Sequence, residues 1–317
     1  MPSIRISIAQ INTSVGNIEA NESKIIQYIK QASNQGSDIV IFPELAITGY
    51  PPEDLLYKPH FVEKNMISAR KIAQSTENIC AVYGFVESDN KLYNSAAVSH
   101  DGELISTSRK TLLPNYGVFD EKRYFSTGEN PDIYAMAGLN IGINICEDIW
   151  FDSGPTKTQS ELGAELILNI NASPYHQNKN LDRVKMLSEK AKNNDVYIVY
   201  VNMVGGQDEL VFDGGSTITN CRGRIIHELG QFQEKIATYD LNIPSKHQTN
   251  VTGHKRIFIS EQKNHVKPVI ESTPDVQSMS EIEQIYNALV LGTRDYVRKC
   301  GFEKVLIALS GGIDSSL

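Results

Sequence analysis

Three residues in this sequence have types and positions suited to covalent chemistry on a carbonyl. Cys146 ends the apolar run Leu139-Asn140-Ile141-Gly142-Ile143-Asn144-Ile145. A cysteine after such a run is ordinarily a small core residue. At the carboxyl end of a strand in an α/β sheet, however, it stands where such sheets place their sites. A free thiol has a pKa near ~8.5, so a nucleophilic cysteine needs a base or a cation beside it. Glu44 follows Ile41-Phe42-Pro43, among apolar neighbours that suit a working base, and Lys110 closes the strand-like run 103–109. Each of these charges alone reads as a solvated loop residue. Together, and in the order Glu, Lys, Cys, they make a base, an oxyanion-holding cation and a nucleophile. Spacing alone leaves open whether the three converge.

The elements that must position them read as repeating βαβ units. Residues 4–10 alternate as a strand, and residues 17–34 carry Ile18, Ile25, Ile29 and Ala32 near helical spacing up to Gly36. Asp38 to Phe42 forms a short, continuously apolar strand, the kind found in a sheet covered on both faces. A helix near 59–76 precedes strands at 79–86, 94–99 and 103–109. The strand 139–145 then runs into Cys146, a short helix covers 156–163, and a helix at 181–194 precedes a strand at 197–201. Strands at 215–219 and 224–229 complete this part near residue 242. Gly163-Ala164-Glu165-Leu166-Ile167-Leu168 echoes Gly36-Ser37-Asp38-Ile39-Val40-Ile41, which suits a pseudo-symmetric layered sandwich.

Residues 244–280 are polar, contain Pro268 and Pro274, and read as a linker or arm whose apolar patch Ile257-Phe258-Ile259 docks on a domain. A helix is expected over 280–299, with Ile282, Ile285, Leu289 and Tyr296 as its apolar positions. A strand at 305–309 then enters Ser310-Gly311-Gly312-Ile313-Asp314-Ser315-Ser316. Glycines in such a loop let backbone N–H groups approach phosphate, and the hydroxyls add donors.

Composition narrows the classes. The 317 residues suit about two domains of roughly 150 residues each, and 40% hydrophobic residues supply a core. A net charge of −8 argues against nucleic acid or an anionic membrane as partner. Cys80, Cys146, Cys221 and Cys300 form no CxxC pair, so neither structural zinc nor a disulfide framework is expected. No signal peptide is visible and no apolar run approaches the ~20 residues needed to span a bilayer. The expected location is the cytoplasm.

Phe42-Pro43-Glu44, Arg109-Lys110-Thr111-Leu112-Leu113-Pro114 and Ile145-Cys146-Glu147-Asp148 resemble the three catalytic motifs of the nitrilase (carbon–nitrogen hydrolase) superfamily, over about residues 4–242. The resemblance implies an α/β fold of the αββα sandwich type and a Glu44–Lys110–Cys146 triad, with Glu121 supporting the lysine. The closing Ser-Gly-Gly-Ile-Asp-Ser-Ser resembles the loop of ATP pyrophosphatases, which implies ATP binding by Ser310, Gly311, Gly312, Ile313, Asp314, Ser315 and Ser316 and places Asp314 near magnesium. The combination resembles the family of long glutamine-dependent NAD synthetases, a resemblance also carried by Tyr50-Pro51-Pro52-Glu53-Asp54, Pro114-Asn115-Tyr116, Asn171-Ala172-Ser173-Pro174 and the stretch 205–216. By that resemblance Tyr116, Ser173 and Lys179 contact L-glutamine, and the complete enzyme is a ligase that uses ATP and magnesium to amidate deamido-NAD and forms homo-oligomers.

The expected organisation is a glutaminase domain over 1–243, an arm over 244–280, and over 281–317 the first helix and strand of a truncated, Rossmann-like ATP-pyrophosphatase domain. Two other glutaminase designs do not fit. Pro2 stands where an N-terminal nucleophile would be, and Cys146 sits outside a GxCxG elbow, with His176 read as a loop residue. A stand-alone amidase or carbamoylase and an inactive fragment stay open as alternatives.

Overall fold

A computed structural model describes residues 3–129, 131–245, 254–262, 267–270 and 279–316. The first half of the chain forms β1 (Ser3–Gln10), α1 (Ile18–Asn34), β2 (Ile39–Ile41), α2 (Pro59–Ala73), β3 (Cys80–Asp89), β4 (Lys91–His100) and β5 (Glu103–Arg109). The second half forms β6 (Ile133–Met136), β7 (Leu139–Ile145), α3 (Pro155–Glu161), β8 (Leu166–Asn171), α4 (Lys179–Asn194) and β9 (Tyr197–Asn202). The strands β10 (Val204–Gln207), β11 (Leu210–Asp213), β12 (Thr217–Thr219), β13 (Ile225–Glu228), β14 (Lys235–Asn242) and β15 (Arg256–Ser260) follow, with the helices α5 (Glu281–Lys299) and α6 (Ile313–Ser316) at the end.

The strands assemble into a six-stranded sheet, β14-β1-β2-β3-β4-β5, and a seven-stranded sheet, β13-β12-β9-β8-β7-β6-β15; β10 and β11 pair as a separate hairpin. Both large sheets have a parallel centre, β1-β2-β3 and β7-β8-β9. Strand alternation decides which face meets which layer. Ile4, Ile6 and Ile8 pack against Ile141, Ile143, Leu166 and Leu168 between the sheets. Val40 and Ala81 face outward to Ile25, Ile29 and Ile72 of α1 and α2. Ile167 and Ile198 do the same for Met186 and Leu187 of α4. The result is the expected αββα sandwich. Gly36 (φ 70°) and Gly163 (φ 94°) make the same left-handed exit from α1 and α3 into β2 and β8, so the sequence echo marks equivalent corners of the two halves.

Several expectations change. β14 replaces what read as a bare domain end, and it pairs antiparallel with β1 along eight residues of β1. The patch at 257–259 does dock, as β15, adding a parallel strand beside β6. Arg5 Nη1 also donates to the Pro268 carbonyl oxygen at 2.7 Å, so the arm touches the sandwich twice. The remainder of the expected arm, 246–253, 263–266 and 271–278, lies outside the described residues.

The strand expected at 305–309 does not form. Those residues are exposed and carry no regular structure, and a strand exists only where a neighbour supplies its ladder. α5 begins with a capping box between Ser280 and Glu283, but its apolar stripe faces outward: Ile282 is 80% and Leu289 65% exposed. The docking face is instead Ala288, Leu291, Gly292 and Asp295. A Cβ on Gly206 would lie 2.8 Å from the Gly292 Cα, so two glycines let helix and hairpin approach. Asp295 Oδ2 then accepts hydrogen bonds from Gly206 N–H (2.8 Å) and Asn12 Nδ2 (2.7 Å).

Candidate active site

The three chemistry-bearing residues lie just past the carboxyl ends of β2, β5 and β7, and the fold buries all of them. Lys110, fully buried, donates from Nζ to Glu44 Oε1 at 2.7 Å and to Glu121 Oε1 at 2.8 Å. Glu44 Oε1 also accepts from Asn94 Nδ2 (2.7 Å), and its Oε2 accepts from the Ala172 N–H (2.9 Å). Tyr50 donates its phenolic O–H to Glu121 Oε1 at 2.9 Å. One cation therefore sits between two carboxylates, each held by a further donor.

The charges set the proton inventory. Burial works against the Lys110 ammonium, but Glu121 and Glu44 outweigh it and hold its pKa well above the usual lysine range. Burial pushes the Glu121 carboxyl up to about 7, with Lys110 pulling down and the Glu44 charge pushing further up. Burial raises the Cys146 thiol well above its ordinary value, the Glu44 charge adds to this, and Lys110 opposes it. Cys146 thus rests as a thiol, and any attack by its sulfur requires a base to take the proton.

Backbone geometry aims the groups. Cys146 has φ 45° and Leu45, directly after Glu44, has the same value. Non-glycine residues held there cost about 1–3 kcal/mol each and persist where surrounding structure fixes them. Cys146 opens a single 3₁₀ turn to Ile149, which bends the chain off the end of β7. A Cβ on Gly84 would lie 2.1 Å from Leu45 N, so only glycine lets β3 support the Glu44 turn from below.

The residues expected to hold an amide substrate gather at the same end. Tyr116 is 59% exposed and donates to Glu147 Oε1 at 2.9 Å. Ser173 is buried, its N–H bound to Asn202 Oδ1 (2.9 Å) and its carbonyl oxygen to Asn202 Nδ2 (3.2 Å). Lys179 opens α4 with Nζ 4.2 Å from the centre of the Trp150 ring. Burial, then Arg183, lowers its pKa, while Cys146 acts in the opposite sense. Sequence reading singled out none of Asn94, Asn202 or Asp148. The first two lie in ordinary strand context and carry no local signal; Asp148 stands inside the cysteine motif itself.

The loop 310–316 stands apart. Residues 301–314 are exposed, Gly311 adopts φ 86°, and the loop's hydrogen bonds run within it: Ser310 N–H to Ser315 Oγ (3.2 Å), and Ser315 Oγ and Ser316 Oγ to the Gly312 carbonyl oxygen (3.1 and 2.9 Å). No group of three or more acidic, histidine or cysteine side chains converges among the described residues. No described helix is long and apolar enough to cross a membrane.

The carbon-nitrogen hydrolase family model matches residues 5–250. The chain belongs to the carbon-nitrogen hydrolase family. A second model, NAD synthase, matches residues 285–317. The glutamine-dependent NAD(+) synthetase of Thermotoga maritima is 42% identical over the whole chain, which spans 57% of that relative's length. The structure of a glutamine-dependent NAD+ synthetase from Acinetobacter baumannii with ADP superposes with a TM-score of 0.86 at 38% identity, covering 99% of this chain and 56% of that one. An amidase variant from Nesterenkonia sp. AN1, with acrylamide added at its active-site cysteine, superposes with a TM-score of 0.68 at 25% identity, covering 75% of this chain and 93% of that one. The αββα layers here are continuous with the strand ends that carry Glu44, Lys110 and Cys146.

Proposed function

We propose that this chain is the glutaminase part of a glutamine-dependent NAD synthetase, with Cys146 as nucleophile, Glu44 as base and Lys110 as oxyanion donor. The observation that carries the proposal is the buried Lys110 ammonium held between Glu44 and Glu121, its charge acting on the Cys146 thiol. Glu44 Oε2 accepts only the Ala172 N–H among the hydrogen bonds described, so it keeps acceptor capacity for the thiol proton.

In the reaction, Glu44 takes the Sγ–H proton while sulfur bonds to the side-chain amide carbon of glutamine. Lys110 and a backbone N–H hold the oxyanion, where a single donor is worth about 3–4 kcal/mol. The C–N bond breaks and Glu44 returns its proton to the departing ammonia. Water then attacks the thioester, giving up a proton to Glu44, and glutamate leaves as the thiol re-forms. Glu121 and Tyr50 keep Lys110 in place and take no proton in the sequence. Tyr116, Ser173 and Lys179 hold glutamine, with Lys179, whose Nζ lies 4.2 Å from the Trp150 ring centre, as the cation for its α-carboxylate.

In a complete enzyme the ammonia goes to deamido-NAD activated with ATP, with residues 310–316 contributing phosphate donors. That protein is a cytoplasmic homo-oligomer in this reading, consistent with four cysteines that form no disulfide. A simple-amide hydrolase is the second reading, favoured by the likeness to the Nesterenkonia amidase. Ammonia release from glutamine, asparagine, propionamide and a carbamoyl amino acid separates them. Preference for glutamine by at least tenfold in kcat/KM supports the glutaminase; equal or better turnover of propionamide or the carbamoyl compound overturns it.

A further inference from the structure

Asp148 has no role in the reaction as derived, yet it is the point at which two segments of the site are joined. Its Oδ1 accepts from Thr111 N–H (3.1 Å), Thr111 Oγ1–H (2.7 Å) and Leu112 N–H (2.8 Å). Its Oδ2 accepts from Ile145 N–H (3.0 Å). Thr111 and Leu112 directly follow Lys110, and Ile145 directly precedes Cys146. One carboxylate therefore ties the exit of β5, which carries the cation, to the exit of β7, which carries the thiol.

The residue type is informative. Asp148 is 1% exposed, and no described ion pair neutralises it. Burial pushes its carboxyl up to about 6, even though Thr111 and the Ile145 and Leu112 N–H groups favour the charged form and Lys110 also pulls it down. A buried carboxylate without a paired cation is costly. All its partners are donors, and an ionised carboxylate presents acceptors in every direction, which an amide does not.

We propose that Asp148 is a positioning residue that sets the distance between the Lys110 ammonium and the Cys146 thiol. The proposal rests on the glutaminase reading for its chemistry but not for its geometry. Lys110 meets the oxyanion only after sulfur has attacked, so slippage between the two segments weakens a contact made in the transition state. Such a loss lowers kcat and leaves KM in place. A misplacement of about 1 Å costs on the order of 10²-fold.

The test uses the full chain with Asp148→Asn and Thr111→Val. Asparagine turns an amide N–H toward at least one donor, whereas Thr111→Val removes only the shortest of the four hydrogen bonds and is the milder change. Two readings are taken: glutamine turnover, and the rate at which iodoacetamide alkylates Cys146, followed by mass spectrometry. Asp148→Asn is expected to lower kcat on the order of 10²-fold with KM within twofold, and to slow alkylation about tenfold as Lys110 withdraws from the thiol. Thr111→Val is expected to lower both rates severalfold with an unchanged melting temperature.

Rates within twofold of the parent in a folded Asp148→Asn variant overturn the proposal, as does a rise in KM without loss of kcat. If Asp148→Asn does not fold, unchanged rates in Thr111→Val overturn it equally. A parent chain that alkylates at Cys146 but does not consume glutamine contradicts the glutaminase reading, while the alkylation series still decides the role of Asp148.

Discussion

Lys110 Nζ lies 2.7 Å from Glu44 Oε1 in a site from which both side chains are wholly excluded from solvent. An ion pair so placed loses more hydration than an exposed pair gains, and its value lies in the charges it presents to a reacting group. The ammonium also serves Glu121, so one cation organises two carboxylates, and its charge acts on the Cys146 thiol.

Replacement of that cation is therefore expected to be severe. Lys110→Met removes the proposed oxyanion donor and leaves Glu44 and Glu121 buried without their cation. Turnover of glutamine should fall by about 10²–10³-fold. Stability should fall by roughly 3–5 kcal/mol, as for other buried pairs broken on one side. Steady-state kinetics and urea unfolding check the two effects separately.

Glu121 gives a pH signature. Its folded-state pKa of about 7 lies above the ordinary glutamate value of about 4.3, so the folded protein keeps a proton that the unfolded chain has released between those limits. This contribution to stability is fully present below about pH 4.3 and is lost as pH rises through about 7, a change of roughly 4 kcal/mol. Glu121→Gln removes it. The stability of the variant relative to the parent, from urea midpoints at pH 4.5 and 7.5, should improve as pH rises.

Gly84 tests whether the Glu44 turn is held from beneath. A Cβ there meets Leu45 N at 2.1 Å, the Glu44 carbonyl carbon at 2.5 Å and the Pro43 carbonyl oxygen at 2.6 Å, all backbone atoms. Gly84→Ala should cost about 1–3 kcal/mol through overpacking. The displaced base should lower kcat at least tenfold, and more if the shift approaches 1 Å. Thermal melting and kcat measured on the same preparation compare the two.

Much of this site was legible because its three groups each follow an apolar strand, and strand ends in an α/β sheet are where side chains from separate segments meet. Cys146 after Leu139–Ile145 and Glu44 after Ile39–Ile41 are of this kind. Asn94 and Asp148 were not legible, because their roles arise from hydrogen bonds across 50 and 36–37 residues of chain. The docked face of α5 was misread for a related reason. Its strongest apolar positions, Ile282 and Leu289, face outward, while the approach of Gly292 to Gly206 and two donors for Asp295 decide which side faces the hairpin. The residues 305–309 have strand composition, but a segment without a neighbouring strand has no ladder to join.

The central claim is that Cys146 is the nucleophile of a glutamine-hydrolysing site, and a glutamine-shaped diazoketone tests it most directly. Intact-mass and peptide analysis should show one adduct, on Cys146, slowed by added L-glutamine, with no adduct and no ammonia release in a folded Cys146→Ala variant. Labelling spread over Cys221 and Cys300, or ammonia release from glutamine that survives Cys146→Ala, would contradict the account.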